Sequence, residues 1–224
     1  MGILIAIEGV DASGKQTQTE LLRKRLEKNY NVRLVSFPMY GNPSSTAVRM
    51  YLNGDMGKRP EDVNAYAASM FFAEDRYITC KTDWGRSYEN GEIIIADRYV
   101  SSNMIHQAGK IEDIEEKNKF LDWAEDFEYN KLGLPRPDII LFLDMPPEYG
   151  RLLMKNRENK IDGSDTKDIH ENDFSYMQRS YENAVYVADR YNWKRIRCVN
   201  EKGIRTVDDI NNEIFEAVKE YLNK

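Results

Sequence analysis

The run GVDASGKQTQ, from Gly9 to Gln18, meets the spacing G-x-x-x-x-G-K at Gly9, Gly14 and Lys15. Residues of those types at that spacing make a loop whose backbone N–H groups, together with the start of the next helix, cradle phosphate oxygens. The lysine adds a mobile positive charge. Gly9, Val10, Asp11, Ala12, Ser13, Gly14, Lys15, Gln16 and Thr17 are the candidate cradle. The hydroxyl that ordinarily follows the lysine is replaced by Gln16, with Thr17 one step late. A carboxamide oxygen can still meet Mg²⁺ or a coordinated water, in a geometry unlike that of a hydroxyl. The substitution therefore bears on metal handling and leaves the phosphate cradle intact.

A cradle of this kind needs a strand before it and a helix after it. ILIAIE (Ile3 to Glu8) is a continuous apolar run of strand length, and GKQTQTELLRKRLEK reads as a helix with Leu21, Leu22 and Leu26 on one face. That setting weakens the plain alternative of a glycine-bearing turn with an exposed lysine. Further strands are predicted at Val32 to Phe37, Glu92 to Arg98, Asp138 to Asp144 and Lys194 to Asn200, with a closing helix from Val207 to Leu222. Residues 61 to 89 read as one long helix, and the segment from Ile111 reads as another that Gly133 and Pro135 stop. Strands separated by helices imply a parallel five-stranded sheet with helices on both faces. Ligands bind such a sheet at the carboxyl ends of its strands. There the chain sets the phosphate loop, Phe37-Pro38, the pair Asp97-Arg98, and Asp144.

The 224 residues suit one domain, with no Pro/Gly/Ser-rich linker to divide them. The formal net charge of −6 argues against nonspecific binding to nucleic acid, which needs broad neutralisation by lysine and arginine. No signal pattern or membrane-length apolar run stands out, so a cytoplasmic protein without membrane contact is expected. Two separated cysteines, Cys80 and Cys198, and two histidines, His106 and His170, offer neither a disulfide framework nor zinc spacing. A charged stretch at about residues 151–171 carries Arg151, Lys155, Arg157, Lys160 and Lys167, candidates for a mobile lid over polyphosphate. Within it, NKID (Asn159 to Asp162) matches a guanine-reading signature, but it follows a charged helical stretch rather than an apolar strand. A GTPase is excluded on that context.

With these residues in view, the chain resembles the thymidylate kinases, a branch of the nucleoside monophosphate kinases with a P-loop NTPase-type fold. IAIEGVDASGKQTQ is similar to that family's phosphate loop, SFPMYG to its F-P segment and MFFAEDR to its L-F-A-x-D-R. DRYVSSNMIHQ is similar to its D-R-Y-x-x-S-x-x-A-Y-Q, and LGLPRPDIILFLD to the strand before its lid. The resemblance implies that Phe72 stacks on the base and that Arg76, one helical turn later, hydrogen-bonds it. It implies Arg98 on the acceptor phosphate and Asp11 near the sugar and that phosphate. Ser102, Asn103 and Gln107 fall at the base edge, Phe37 and Pro38 fall among the substrate-binding residues, and Tyr40 and His170 border the sugar as weaker candidates. Each of these has a plainer reading, as core aromatic, solvated charge, helix cap or structural ion pair.

The sequence also departs from the family pattern. Met39 stands where many members carry a basic residue, for which Arg49 is a substitute, and Ile105-His106 replaces Ala-Tyr. Ala12-Ser13 lacks the loop arginine of some members, which leaves Arg157 first and Arg151 second as catalytic lid arginines. Gln16 and Asp97 are the candidate Mg²⁺ ligands. The implied activity is transfer of the γ-phosphoryl group of ATP to dTMP by a homodimer, with Lys15, Arg98, Asp11 and Arg157 carrying the chemistry. The alternatives are a kinase of the same fold for dUMP, dCMP or a nucleoside, and a nucleotide-binding regulator that has lost turnover.

Overall fold

The apolar runs form the sheet because each alternates between two covered faces. In the computed structural model, which describes residues 1–153 and 174–223, the first strands are β1 (Ile3–Glu8), β2 (Val32–Ser36) and β3 (Ile93–Asp97). With β4 (Ile139–Asp144) and β5 (Lys194–Arg197) they make a five-stranded sheet in the order β2-β3-β1-β4-β5, parallel throughout. β1 is central, and Leu4 to Glu8 have no solvent exposure.

Period-two alternation assigns the two faces. Ile5, Ile7, Ile93, Ile95, Leu141 and Leu143 face Leu22 and Leu26 of α1 (Lys15–Leu26). On the same side lie residues of the last helix, Ile210 and Ile214 within Val207–Leu222. Leu4, Ala6, Ile94 and Ala96 point the other way, against Trp84 and Tyr99.

The remaining helices are α2 (Thr46–Leu52), α3 (Ala65–Thr79), α4 (Gly85–Glu89), α5 (Val100–His106), α6 (Ile114–Glu125), α7 (Pro147–Leu153), α8 (Phe174–Arg190) and α9 (Val207–Leu222). The long helix expected over 61–89 is interrupted twice. Pro60–Asp62 is a separate 3-10 turn, and Asn64 caps α3 by accepting from the Ala67 N–H. Cys80–Trp84 then forms a wide π turn that joins α3 to α4. Gly85 follows that turn by necessity, since a Cβ there would lie 2.2 Å from the Cys80 carbonyl oxygen. The helix expected from Ile111 begins instead at Ile114, where Asp113 caps it, and ends in a second π turn at Asp126–Lys131. The last predicted strand is also shorter in the sheet. Val199–Asn200 leaves β5 and pairs antiparallel with Gly203–Ile204, a small hairpin made of β6 and β7.

Candidate active site

Gly14 caps α1 in the left-handed region at φ 85°, and no side chain competes for the first N–H groups of that helix. Gly9 is required by packing, because a Cβ there would meet the Ser13 hydroxyl at 2.6 Å. Lys15 Nζ donates to the Gly9 and Val10 carbonyls, both at 2.8 Å, so its charge hangs across the loop. A cavity of about 340 Å³ opens beside it, walled by Ala12, Ser13, Gly14, Lys15, Gln16 and Thr17, with Arg205 and Val207 opposite. Gly9 and Val10 stand behind this wall as acceptors for Lys15.

A larger cavity, about 480 Å³, lies on the other side of the loop. Asp11, Phe37, Pro38, Tyr40, Phe72, Arg76, Asp97, Arg98, Ser102, Asn103 and Gln107 all line it. Gln16 is exposed and lines both cavities. Phe37-Pro38 is a cis peptide. The Asp75 carboxylate ties this segment to α3, accepting from the Met39 N–H at 2.8 Å and the Ser44 hydroxyl at 2.5 Å.

Arg98 turns the chain away from β3 at φ 69°, a left-handed conformation that a non-glycine residue adopts only under constraint. Its Nη2 donates to Asp11 Oδ1 at 2.6 Å and its Nη1 donates to His106 Nε2 at 2.8 Å. An arginine cannot accept, so Nε2 is the acceptor and the His106 proton sits on Nδ1. The constraint comes from Glu8, whose carboxylate accepts from the Tyr99 N–H and from the Ser101 and Ser102 hydroxyls at 2.7–2.8 Å. Burial pushes the Glu8 carboxyl above its usual range, against the lowering effect of Arg98 and these donors. The Arg98 guanidinium is held above its ordinary value: burial lowers it, but the Asp11, Glu8 and Asp97 carboxylates together outweigh that. The end of the cavity near the loop thus carries a fixed cation suited to phosphate oxygens.

At the far end, Arg76 is buried in a two-pronged ion pair, Nε to Glu128 Oε2 at 2.7 Å and Nη2 to Glu128 Oε1 at 2.6 Å. Phe72 meets the Tyr51 ring edge-on, with centroids 6.2 Å apart. Gln107 is buried with neither its amide nitrogen nor its oxygen hydrogen-bonded among the described residues.

Two expectations change at this site. Asp144 ends β4 at the correct edge but lines neither cavity, because the Tyr181 hydroxyl and Arg195 Nε occupy its carboxylate. Arg49 is not at the cavity wall; it donates to the Tyr40 carbonyl at 2.9 Å. Arg157, Lys155, Lys160, Lys167, His170 and the NKID run lie outside the described residues. Arg151 is exposed at the end of α7. The residues that the sequence reading missed are Glu8, His106 as a partner of Arg98, and Glu128. Only Glu8 carried a local signal, a carboxylate at the buried end of an otherwise apolar strand.

Among the described residues, no cluster of three or more His, Cys, Asp or Glu side chains is arranged to hold a metal ion, and no helix is long and apolar enough to cross a membrane. Comparison with known proteins adds a family. The family model described as thymidylate kinase matches residues 7–209. Similar proteins include the thymidylate kinase of Mycobacterium tuberculosis, 32% identical over 82% of this chain and 84% of that protein. Another is the thymidylate kinase of Bifidobacterium longum subsp. infantis, 30% identical over 84% of this chain and 79% of that protein.

Proposed function

The chain belongs to the thymidylate kinase family, and from that premise we propose that its two joined cavities hold dTMP and ATP end to end. The enzyme is a phosphotransferase that phosphorylates dTMP; the readings as a kinase for another acceptor or as a silent regulator are not favoured. The observation that carries the proposal is the junction itself. Gln16 lines both cavities, with Lys15 on one side of it and the Arg98–Asp11 pair on the other.

In this reading the loop from Gly9 to Thr17 binds the ATP phosphates through N–H groups and Lys15. Arg98 grips the acceptor phosphate, oriented by Asp11 and by the turn that Glu8 holds. Phe72, Arg76, Ser102, Asn103 and Gln107 surround the base, while Phe37, Pro38 and Tyr40 border the sugar. Phosphoryl transfer asks little covalent help from protein, so alignment, charge neutralisation and exclusion of water are the work to be done. A monophosphate is already nucleophilic, and no general base is required.

Magnesium suits two oxygen donors, the Gln16 carboxamide that lines both cavities and the Asp97 carboxylate that lines the larger one, because Mg²⁺ uses one or two protein oxygens plus phosphate oxygens and water. When bound it neutralises charge on the phosphates. Arg157 is carried forward on sequence grounds as a further cation for the transferred group, within a single domain spanning 1–224 whose lid covers about 151–171. A cytoplasmic homodimer completes the reading. Its support is the family and the apolar stripe of α3, where Tyr66, Met70 and Tyr77 are exposed.

The test is formation of the phosphorylated acceptor from ATP and Mg²⁺, a diphosphate from dTMP, dUMP, dCMP, AMP or GMP and a monophosphate from thymidine, with Lys15→Ala as the comparison. Preference for dTMP, lost in the variant, is expected. Equal turnover in the variant would remove Lys15 from the phosphate cradle.

A further inference from the structure

Glu128 stands behind the wall of the larger cavity and touches two of the residues that form it. Its Oε1 accepts from Arg76 Nη2 at 2.6 Å and from Asn103 Nδ2 at 2.8 Å, and its Oε2 accepts from Arg76 Nε at 2.7 Å. Asn103 Nδ2 has a second acceptor, the Ser69 carbonyl at 3.2 Å. The carboxylate and its partners are buried: Glu128 and Arg76 are each 1% exposed and Asn103 2%. Glu128 sits on the wide turn at Asp126–Lys131, and its partners sit on α3 and α5, so three separate segments meet at one carboxylate.

An ionised carboxylate can only accept, and a carboxamide has one donor end and one acceptor end. With both Asn103 Nδ2 hydrogens aimed at Glu128 and Ser69, its Oδ1 is turned away from them. Likewise Arg76 spends Nε and Nη2 on Glu128, which leaves Nη1 unbonded among the described residues. Both side chains line the cavity. The wall therefore offers a donor from Arg76 beside an acceptor from Asn103.

We propose that Glu128 is a positioning residue that sets this donor–acceptor order and so selects a pyrimidine bearing a carbonyl beside an N–H. Thymine and uracil present that pair at O4 and N3–H. Cytosine presents the reverse, an amino group beside a bare ring nitrogen, and would face donor with donor and acceptor with acceptor. Rotating Asn103 to suit cytosine would turn its oxygen onto the Glu128 carboxylate, so the discrimination is held in place from outside the cavity. The inference rests on the base lying between Phe72, Arg76 and Asn103, as in the reading above.

The experiment compares kcat and KM for dTMP and dCMP in the wild-type enzyme, Glu128→Gln and Asn103→Ala, with thermal melts of each. Glu128→Gln is expected to reduce the dTMP-to-dCMP ratio of kcat/KM by at least about tenfold, chiefly through KM for dTMP. Parallel losses on both substrates, with the ratio unchanged, would make Glu128 merely structural and overturn the inference. Should Glu128→Gln fail to fold, Asn103→Ala decides: it must lower dTMP turnover while dCMP turnover holds or rises, and an equal loss on both overturns the proposal. A wild-type enzyme without dTMP turnover would instead overturn the underlying reading, and this inference with it.

Discussion

Arg98 Nη2 lies 2.6 Å from Asp11 Oδ1, and the two residues, 87 positions apart, leave the ends of adjacent parallel strands. The pair is only partly exposed, with side chains at 15% and 18%. One guanidinium therefore joins the phosphate loop to the turn after β3, in a backbone conformation that Glu8 holds for it.

Arg98→Lys keeps the charge and loses the planar fork. The expected result is a fall in kcat/KM for dTMP of about 100-fold or more, with little change in melting temperature. Steady-state kinetics at saturating ATP would check it, and near wild-type values would remove Arg98 from the acceptor site.

Glu8→Gln tests the turn and carries a pH signature. The Glu8 carboxyl is raised in the fold, so its contribution to stability is complete below the ordinary carboxylate value and is lost as pH rises through the raised one. The stability difference between wild type and Glu8→Gln should shrink in that direction, by at most about 1.4 kcal/mol per pH unit. Denaturant titrations between pH 4.5 and 7 would measure the slope; a constant difference would contradict a buried, titrating Glu8.

Lys110 predicts the opposite slope. Its Nζ donates to the Tyr51 hydroxyl at 2.9 Å and the Val63 carbonyl at 3.1 Å, and burial pulls the ammonium down from 10.5 to about 7. A depressed value means stability that is fully present above the unfolded value and is lost as pH falls toward 7. Relative to Lys110→Met, the wild type should gain up to about 1.4 kcal/mol per unit as pH rises from 7.5 to 9.5. Parallel pH curves for the two proteins would show that Lys110 does not titrate in this window.

Gly85→Ala should destabilise the fold by about 1–3 kcal/mol, since the added methyl meets a backbone oxygen that has no rotamer to yield. Urea midpoints would report it. A neutral result would mean that the wide turn at Cys80–Trp84 relaxes to ordinary α geometry at little cost.

Much of the fold was legible because β1, β3 and β4 are short apolar runs, and the phosphate loop is a local pattern whose spacing carries its own chemistry. The cavity residues were legible for a similar reason, lying in short segments around Phe72, Arg98 and Asn103. Glu128 was not. It is one acid in a helix full of acids, and its partner Arg76 is 52 residues away, so only the folded chain distinguishes it from the solvated glutamates beside it. The two wide turns escaped as well, because a π turn keeps helical periodicity on either side and merely shifts its phase. Asp144 misled in the opposite sense: its position at the strand end was correct, and the Arg195 and Tyr181 partners that take its carboxylate come from distant chain.

The Glu8–Ser102 hydrogen bond spans 94 positions and the Arg98–Asp11 bond 87. During synthesis, β1, α1 and β2 can emerge and begin to fold before the segment after β3 exists. Such a nascent chain carries the phosphate loop with no counter-wall for the acceptor. Closing loops of this length has an entropic cost that local contacts do not offset, so the acceptor wall forms with the later, non-local part of the sheet. On the proposed reading, a phosphate loop that matures before the wall carrying Arg98 leaves the incomplete chain without the paired arginine, and phosphoryl transfer becomes a property of the finished sheet alone.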